Sequence, residues 1–293
     1  MRRYVRQIFL WSWVITVPIS LVGSYLLYRA VDRTYTYSVR YGGEKEELQF
    51  ARIARYEASQ LANFLRVNFI KGLGRRETSL KSLHLVVPEA NLAQLESHMP
   101  QSGFEYVRGG MFINGALKKV KIRYRGDYSY HWGWDKKSIR VKTGKGNLYG
   151  GLRVFNLQAP KAWSQLNNYL SLKLAEQMGL LTPRIEIVRL FLNGQDRGVY
   201  IFIEQPSETT LRNANLMPGD IYRGEMVAKG KFTIPGITNK ERWLFDSTSF
   251  WDKVSINNHY DADSVAPLEA LLSLFTDSDG EGRQTALSEI MDM

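Results

Sequence analysis

The chemistry with the clearest support in this sequence is the binding of an anion by clustered basic side chains. The segment from Lys121 to Thr143 reads KIRYRGDYSYHWGWDKKSIRVKT and mixes lysine and arginine with aromatic residues and glycine. Ammonium and guanidinium groups bind phosphate oxygens through charge-assisted hydrogen bonds. The segment therefore has the residue types of a phosphate-binding half-site, of a nucleic-acid surface or, through its Arg-Gly-Asp sequence, of an adhesion loop.

Apolar and basic residues alternate at both ends of this segment, which is typical of β-strands because successive side chains point to opposite faces. The alternation predicts two strands joined by an aromatic loop, with a hairpin turn at Asn114–Gly115 before the first of them. One face of each strand is apolar. The other face is basic and carries Lys121, Arg123, Arg125, Arg140 and Lys142.

Several other chemistries have no support in the sequence. The chain has no cysteine, which excludes disulfides, thiol catalysis and cysteine-ligated metals. Its four histidines do not have the spacing of metal ligands, and the phosphate-loop, dinucleotide-binding, zinc-protease and nucleophile-elbow motifs are absent. The formal net charge of +10 favours acidic partners such as phosphates, anionic lipid or acidic polymers, without choosing among them.

The N-terminal region predicts a membrane anchor. Ile8 to Tyr28 contains no charged residue, and at about 1.5 Å per residue this helix would span a hydrocarbon core of about 30 Å. Arg2, Arg3 and Arg6 precede it, so we expect residues 1–7 in the cytoplasm, 8–28 as a transmembrane signal anchor and the main domain outside. The alternative is a cleaved signal peptide, but no small-x-small cleavage site follows the apolar run.

Two further segments predict helices. Residues 29–76 would form a linker and a juxtamembrane amphipathic helix, because apolar residues recur there at helical spacing. A second helix would begin with Ser164 as its N-cap and end at Gly179, and two apolar strands around Asn193–Gly194 would follow. The apolar stripe of the second helix is Trp163, Leu166, Leu170, Leu174 and Met178.

Five short motifs in a fixed order resemble the CotH kinase family, the spore-coat and cell-surface kinases with an atypical protein-kinase-like fold. They are R-x-R-G from Arg123, K-K-S from Lys136, F-N-L from Phe155, a helix that ends in Met-Gly, and N-G-x-x-x-G-V-Y-x-x-x-E from Asn193. The resemblance runs from about residue 79 to residue 205 and continues weakly to the end of the chain.

The resemblance implies an α+β fold. Residues 77–205 would form an atypical protein-kinase-like small lobe, made of an antiparallel sheet and one long helix. Residues 206–293 would begin an incomplete, helical large lobe. The implied cofactors are ATP and Mg²⁺ or Mn²⁺.

The resemblance also implies roles for individual basic residues. Lys137, or its neighbour Lys136, would contact the nucleotide phosphates. Arg125 and Gly126 would lie in the hairpin that covers the phosphates, and Arg140 would extend the basic face. Without the resemblance, the same residues would be interpreted as a solvated basic face.

Acidic and amide residues complete the implied nucleotide site. Glu176 or Asn168 on the long helix would orient the lysine, and Glu204 would end the strand that leads to the adenine-binding linker. The aspartates that act as base and metal ligands in this family have no counterpart here. Asp261 and Asp263 come too early in the sequence and are interpreted as loop residues. We therefore expect this chain alone to be inactive.

The predicted function is that of a membrane-anchored kinase that phosphorylates secreted, coat or envelope proteins. The alternative is a non-catalytic scaffold of the cell envelope or spore coat that binds acidic partners through its basic face. A nucleic-acid-binding module fits the basic and aromatic residues, but an outward-facing domain is the wrong place for it. The Arg-Gly-Asp tripeptide at Arg125 is interpreted as a chance match.

Overall fold

The computed structural model describes residues 2–35, 50–68, 79–97, 105–125, 136–160, 166–217, 219–224, 248, 251–254 and 265–277. The described helices are α1 (Arg2–Tyr35), α2 (Phe50–Asn68), α3 (Glu89–Ser97), α4 (Asn167–Gln177), α5 (Glu208–Asn213) and α6 (Ala266–Asp277). The described strands are β1 (Lys81–Val86), β2 (Val107–Ile113), β3 (Ala116–Tyr124), β4 (Ile139–Thr143), β5 (Val154–Gln158), β6 (Ile185–Leu192), β7 (Gln195–Glu204), β8 (Tyr222–Gly224) and β9 (Trp251–Lys253).

Seven strands form a closed barrel in the order β1-β2-β3-β4-β5-β7-β6, while β8 and β9 pair separately. Neighbouring barrel strands are antiparallel except for β1 and β6, which run parallel and close the barrel. Because side chains alternate along each strand, one set fills the interior. The core includes Leu83, Leu85, Met111, Ile122, Val141, Phe155, Leu157, Leu190 and Phe202.

The closed barrel corrects the predicted fold class. A protein-kinase-like small lobe built from an antiparallel sheet and one long helix is wrong, because β1 pairs with β2 on one side and with β6 on the other. The expectation of a purely helical large lobe is corrected as well, since the described residues beyond Glu204 include the paired strands β8 and β9 in addition to α5 and α6. Alternation in the sequence predicts strands but does not reveal which distant strands pair.

The helix predicted from Ser164 is present as α4, which packs on β6. Its predicted stripe does not join the core, because Leu170, Leu174 and Met178 are each more than half exposed. Trp163 and Ser164 lie outside the described residues. The periodicity therefore predicted the helix correctly, while the described structure leaves three residues of the stripe uncovered.

α1 lies in the region predicted as the membrane anchor. In the described part of the chain, one helix is long and apolar enough to cross a membrane, over Trp11–Asp32. Its apolar side chains, including those of Trp11 and Leu21, are exposed. α2 packs on α1, with Arg29 Nε 3.5 Å from Glu57 Oε2, and also contacts β7 of the barrel.

Both predicted Asn-Gly turns are confirmed. Asn114–Gly115 joins β2 to β3 and Asn193–Gly194 joins β6 to β7, and each asparagine has a φ of 50°. Asn193 has an additional role at the closing seam. Its side-chain oxygen accepts a hydrogen bond from the backbone N–H of Val87 at 2.7 Å, and its amide nitrogen donates to the Val87 carbonyl at 2.8 Å. The turn after β6 therefore holds the end of β1 in register.

Replacing Asn193 with alanine should lower the free energy of unfolding by about 2–4 kcal/mol. The change removes two hydrogen bonds to a buried residue and a side chain that tolerates positive φ. Asn114→Ala is the matched control, because Asn114 has the same φ and no side-chain hydrogen bond in the described part of the chain. The control should lose about 1 kcal/mol. Chemical denaturation of the full chain in detergent micelles, followed by circular dichroism, measures both, and equal losses would contradict the role of Asn193.

Candidate functional site

A row of polar side chains crosses the outer wall of the barrel on β3, β4 and β5. Arg123 lies directly opposite Arg140, and Arg140 lies directly opposite Asn156. Arg140 Nε donates to Asn156 Oδ1 at 2.8 Å, and Arg140 Nη2 donates to Gln205 Oε1 at 2.8 Å. The Arg140 guanidinium is thus held by two neutral amide oxygens, so its positive charge is oriented but not neutralised by these partners.

Arg123 and Arg140 lie directly opposite each other, and Arg125 and Arg223 are near enough to act electrostatically on Arg140, so we call these four residues the arginine cluster. Burial lowers the pKa of Arg140 to about 10, and the neighbouring charges of Arg123, Arg125 and Arg223 act in the same direction. Like charges that lie directly opposite across two strands are destabilising. An arrangement that brings several guanidinium groups together has the donors that a phosphate group requires.

Lys137 belongs to a separate polar cluster with α3. It is only 7% exposed, and its ammonium lies 3.1 Å from Glu96 Oε1. The Tyr124 hydroxyl donates to the same carboxylate oxygen at 2.7 Å, and the Tyr124 ring lies 5.5 Å from the ammonium. Burial lowers the pKa of Lys137, and Glu96 opposes this shift. Glu96 therefore supplies the counter-charge that a buried ammonium needs.

Lys136 is held by β7 rather than by α3. Its ammonium donates to the Val199 carbonyl at 2.8 Å and lies 4.8 Å from the centre of the Tyr200 ring. Burial lowers the pKa of Lys136 to about 8, while the Asp196 carboxylate opposes this shift. The two adjacent lysines thus have different neighbours, and each ammonium already interacts with the protein.

The structure brings together only some of the residues that the sequence predicted for the site. Arg125 and Arg140 share the arginine cluster, whereas Lys136 and Lys137 occupy the two settings just described. Gly126 lies outside the described residues, as do Asp261 and Asp263. The nucleotide-binding roles assigned to these residues remain predictions.

The predicted orienting residues lie elsewhere in the described structure. Glu176 pairs with Lys173 at 2.7 Å on the exposed side of α4, and Asn168 donates to Gln158 Oε1 at 3.5 Å. The carboxylate that contacts Lys137 is Glu96. It lies 41 residues before the lysine in the sequence, on a short helix with no motif, so sequence reasoning had no signal for it.

Glu204 has a structural environment. It is buried, and its carboxylate accepts hydrogen bonds from the Arg184 backbone N–H at 3.0 Å and from the Thr210 hydroxyl at 2.8 Å. Its own backbone N–H donates to the Arg184 carbonyl at 2.9 Å. Glu204 therefore ties the end of β7 to α5 and to the segment before β6. The predicted role of Glu204 before an adenine-binding linker remains a prediction.

The described residues do not offer a metal site. No group of three or more histidine, aspartate or glutamate side chains in the described part of the chain could hold a metal ion, and Mg²⁺ needs acidic oxygen ligands. His84 stacks on Phe191 at 4.6 Å between ring centroids, which is a packing contact. The described side chains thus provide hydrogen-bond donors for a phosphate group but not the set of acidic oxygen ligands that Mg²⁺ needs.

Comparison with known proteins supports the resemblance seen in the motifs. The family model described as CotH kinase protein matches residues 122–292 of the chain. Inner spore coat protein H of Bacillus subtilis (strain 168) is 28% identical over 149 residues, which is 50% of this chain and 40% of that protein. The matched segment thus spans about two fifths of that relative's length. The region matched by the family model includes the arginine cluster and both lysines but not Glu96.

Glu96→Gln should lower the free energy of unfolding by about 2 kcal/mol, because it removes the carboxylate charge that lies 3.1 Å from the buried Lys137 ammonium. The matched control is Glu176→Gln, which breaks an exposed ion pair and should cost about 0.5 kcal/mol or less. Chemical denaturation of the two variants at neutral pH provides the measurement. If both lost the same stability, the Glu96–Lys137 pair would not be a structural contact.

Proposed function

This chain belongs to the CotH kinase protein family, and from this membership we propose that it binds a nucleotide at the arginine cluster and takes part in phosphoryl transfer to surface or coat proteins. The observation that carries the proposal is the pair Arg123 and Arg140, directly opposite each other on β3 and β4, with Arg125 and Arg223 near enough to act electrostatically on Arg140. Guanidinium groups donate charge-assisted hydrogen bonds to phosphate oxygens, so this set of arginines would stabilise a bound polyphosphate.

Arg140 has the best-defined part in this site. Asn156 and Gln205 occupy donors on Nε and Nη2, and they fix the plane of the guanidinium. The Asn156 amide also donates to Gln205 Oε1 at 3.1 Å, so the three side chains form one connected group. A guanidinium held in one orientation loses little rotamer freedom when it binds a phosphate, which increases its contribution to affinity.

The arginine cluster is a stronger candidate for phosphate binding than Lys137. The Lys137 ammonium is almost fully buried and already lies 3.1 Å from a carboxylate. To bind Lys137, a phosphate would have to approach the ammonium beside the negatively charged carboxylate of Glu96. We propose instead that the Glu96–Lys137 pair fixes the end of α3 against the residues that precede β4.

When bound, ATP would supply the phosphoryl group, and this chain's arginines would hold and neutralise its phosphates. We derive no step through a metal, since the described residues do not provide its ligands. A base for the acceptor hydroxyl was not found in this sequence either. The proposed role of this chain is therefore to bind the nucleotide and orient its phosphates.

We also propose that α1 anchors the chain in a membrane and that the barrel lies on the outer side. The apolar span Trp11–Asp32 has the length required to cross a bilayer. Arg2, Arg3 and Arg6 precede it, and the positive-inside rule places such residues in the cytoplasm. This topology would give the barrel access to envelope or coat proteins.

Arg140→Ala should weaken ATP binding about 10- to 100-fold, because it removes a charge-assisted hydrogen-bond donor from the phosphate site. Isothermal titration calorimetry of the full chain in detergent micelles measures this change. Arg55→Ala, an exposed arginine on α2, is the control and should bind ATP like the unmodified protein. If the unmodified protein did not bind ATP, or if Arg140→Ala bound it equally well, nucleotide binding at the arginine cluster would be refuted.

The absence of cysteine from the chain allows a clean test of topology. Single Tyr4→Cys and Lys145→Cys variants place one thiol before the apolar span and one in an exposed barrel turn. A membrane-impermeant maleimide should label the Lys145→Cys variant in intact bacterial cells and the Tyr4→Cys variant only after permeabilisation. If only the Tyr4→Cys variant were labelled in intact cells, the N-terminus would lie outside and the barrel inside, and the proposed orientation would be wrong. Recovery of the chain in the soluble fraction would reject the anchor.

A further inference from the structure

A second basic surface lies on the barrel wall beside the arginine cluster. It is a groove of about 800 Å³, which we call the basic groove, and it is built mainly on the outer faces of β2, β3 and β4. Its described lining contains no acidic residue. The basic residues that line it are Arg108, Lys118, Lys119, Lys121, Lys142 and Arg153.

Strand register aligns three of these cations in one row. Arg108 on β2 lies directly opposite Lys121 on β3, and Lys121 lies directly opposite Lys142 on β4. Neighbouring strands are about 4.8 Å apart, so these side chains emerge close together on one face. Like charges in this arrangement oppose each other, and their repulsion favours any ligand that brings negative charge.

The described structure does not compensate these charges. None of the six basic residues of the groove forms an ion pair with a carboxylate in the described part of the chain, and the Lys142 ammonium faces the Tyr106 ring at 5.9 Å. The arginine cluster differs, because Asn156 and Gln205 hold Arg140 in place. The basic groove is therefore a surface of free cations rather than a site of fixed hydrogen-bond donors.

The apolar part of the groove indicates which class of anion fits. Val86, Pro88 and Leu117 line it together with Gly109 and Gly110, and Leu117 is 53% exposed. No aromatic ring is present in its described lining, whereas single-stranded nucleic acids are bound by stacking bases on such rings. A polypeptide with acidic and apolar side chains complements both the cations and this apolar wall.

Among the described residues, none that lines the groove belongs to α1 or α2. α2 contacts β7, and in the closed strand order β7 lies three places from β3, on the far side of a seven-stranded barrel. A partner could therefore reach the groove while α1 and α2 remain in place.

We propose that the basic groove binds an extended, acidic segment of a partner protein. Same-face residues on a strand are about 6.8 Å apart, so Lys119 and Lys121 have the spacing of alternate residues in an extended peptide. An extended segment with an acidic residue at every second position would direct its carboxylates to the face that meets these lysines. This interaction goes beyond the proposed nucleotide binding and does not require it, because the groove and the arginine cluster share no lining residue.

The test measures fluorescence polarisation of a labelled peptide of about nine residues, the length of β3, with glutamate and valine alternating. The protein is the full chain in non-ionic detergent at low salt. The charge-reversed double variant Lys121→Glu/Lys142→Glu should bind this peptide about tenfold more weakly or worse. Arg55→Glu, on the opposite side of the barrel, changes the net charge without touching the groove and should bind normally.

Thermal unfolding separates a loss of binding from a loss of folding. Lys121→Glu places a carboxylate between Arg108 and Lys142, so this single variant should raise Tm by about 1–3 °C while it weakens peptide binding. A lower Tm together with weaker binding would instead indicate that the groove residues are structural, and it would overturn the proposal.

Two further comparisons decide what the groove binds. Arg140→Ala should lose ATP but keep the peptide, and a loss of both would reject a separate peptide site. An oligonucleotide of the same length and anionic phosphatidylglycerol vesicles are the competing ligands. If reversal of Lys121 and Lys142 weakened binding to these but left peptide binding unchanged, or if Arg55→Glu weakened peptide binding equally, the assignment to an acidic peptide would be wrong.

Discussion

The closing contact between β1 and β6 is the constraint on which the rest of the structure depends. These strands are about a hundred residues apart in the sequence, and they pair in parallel from Lys81 with Val188 to Leu85 with Leu192. Asn193 extends this contact by bonding both polar groups of Val87. Once the wall is closed, each strand has one inner face and one outer face, and every polar residue in the wall must be placed accordingly.

The consequence is that the cations of β2, β3 and β4 are forced together on the outside. Three directly opposite like-charge pairs result, namely Arg108–Lys121, Lys121–Lys142 and Arg123–Arg140. Like charges directly opposite each other are destabilising, and a typical domain has a net stability of only about 5–15 kcal/mol. The fold tolerates this cost, and the strand core of buried aliphatic and aromatic side chains offsets it. Such a concentration of charge is explained more readily by ligand binding than by stability.

Sequence reasoning succeeded where the physical signal is local. Alternation predicted β3, β4 and their basic face, the Asn-Gly pairs predicted both hairpin turns, and the apolar run predicted α1.

Sequence reasoning failed where a contact joins residues that are far apart in the chain. The pairing of β1 with β6 has no local signature, and the family resemblance implied a small lobe of an antiparallel sheet and one long helix, which the closed barrel corrects. Glu96 was missed because its contact with Lys137 joins two segments without a shared motif. The helical stripe of α4 was correct as a pattern, but three of its residues are exposed because periodicity alone does not specify what covers a helix.

The two basic surfaces differ in how their cations are held, and this difference separates their proposed ligands. In the arginine cluster, Arg140 is fixed by Asn156 and Gln205, so its donors have set directions that suit the fixed geometry of a phosphate group. In the basic groove, lysines predominate, and an ammonium on a flexible stem behaves as a point charge with weak directional preference. Carboxylates on an extended peptide vary in position from one partner to another. A mobile cation can follow them, whereas a fixed guanidinium selects one geometry. The neutral amides of Asn156 and Gln205 are therefore the feature that distinguishes the proposed phosphate site from a general anion-binding surface on the same barrel wall.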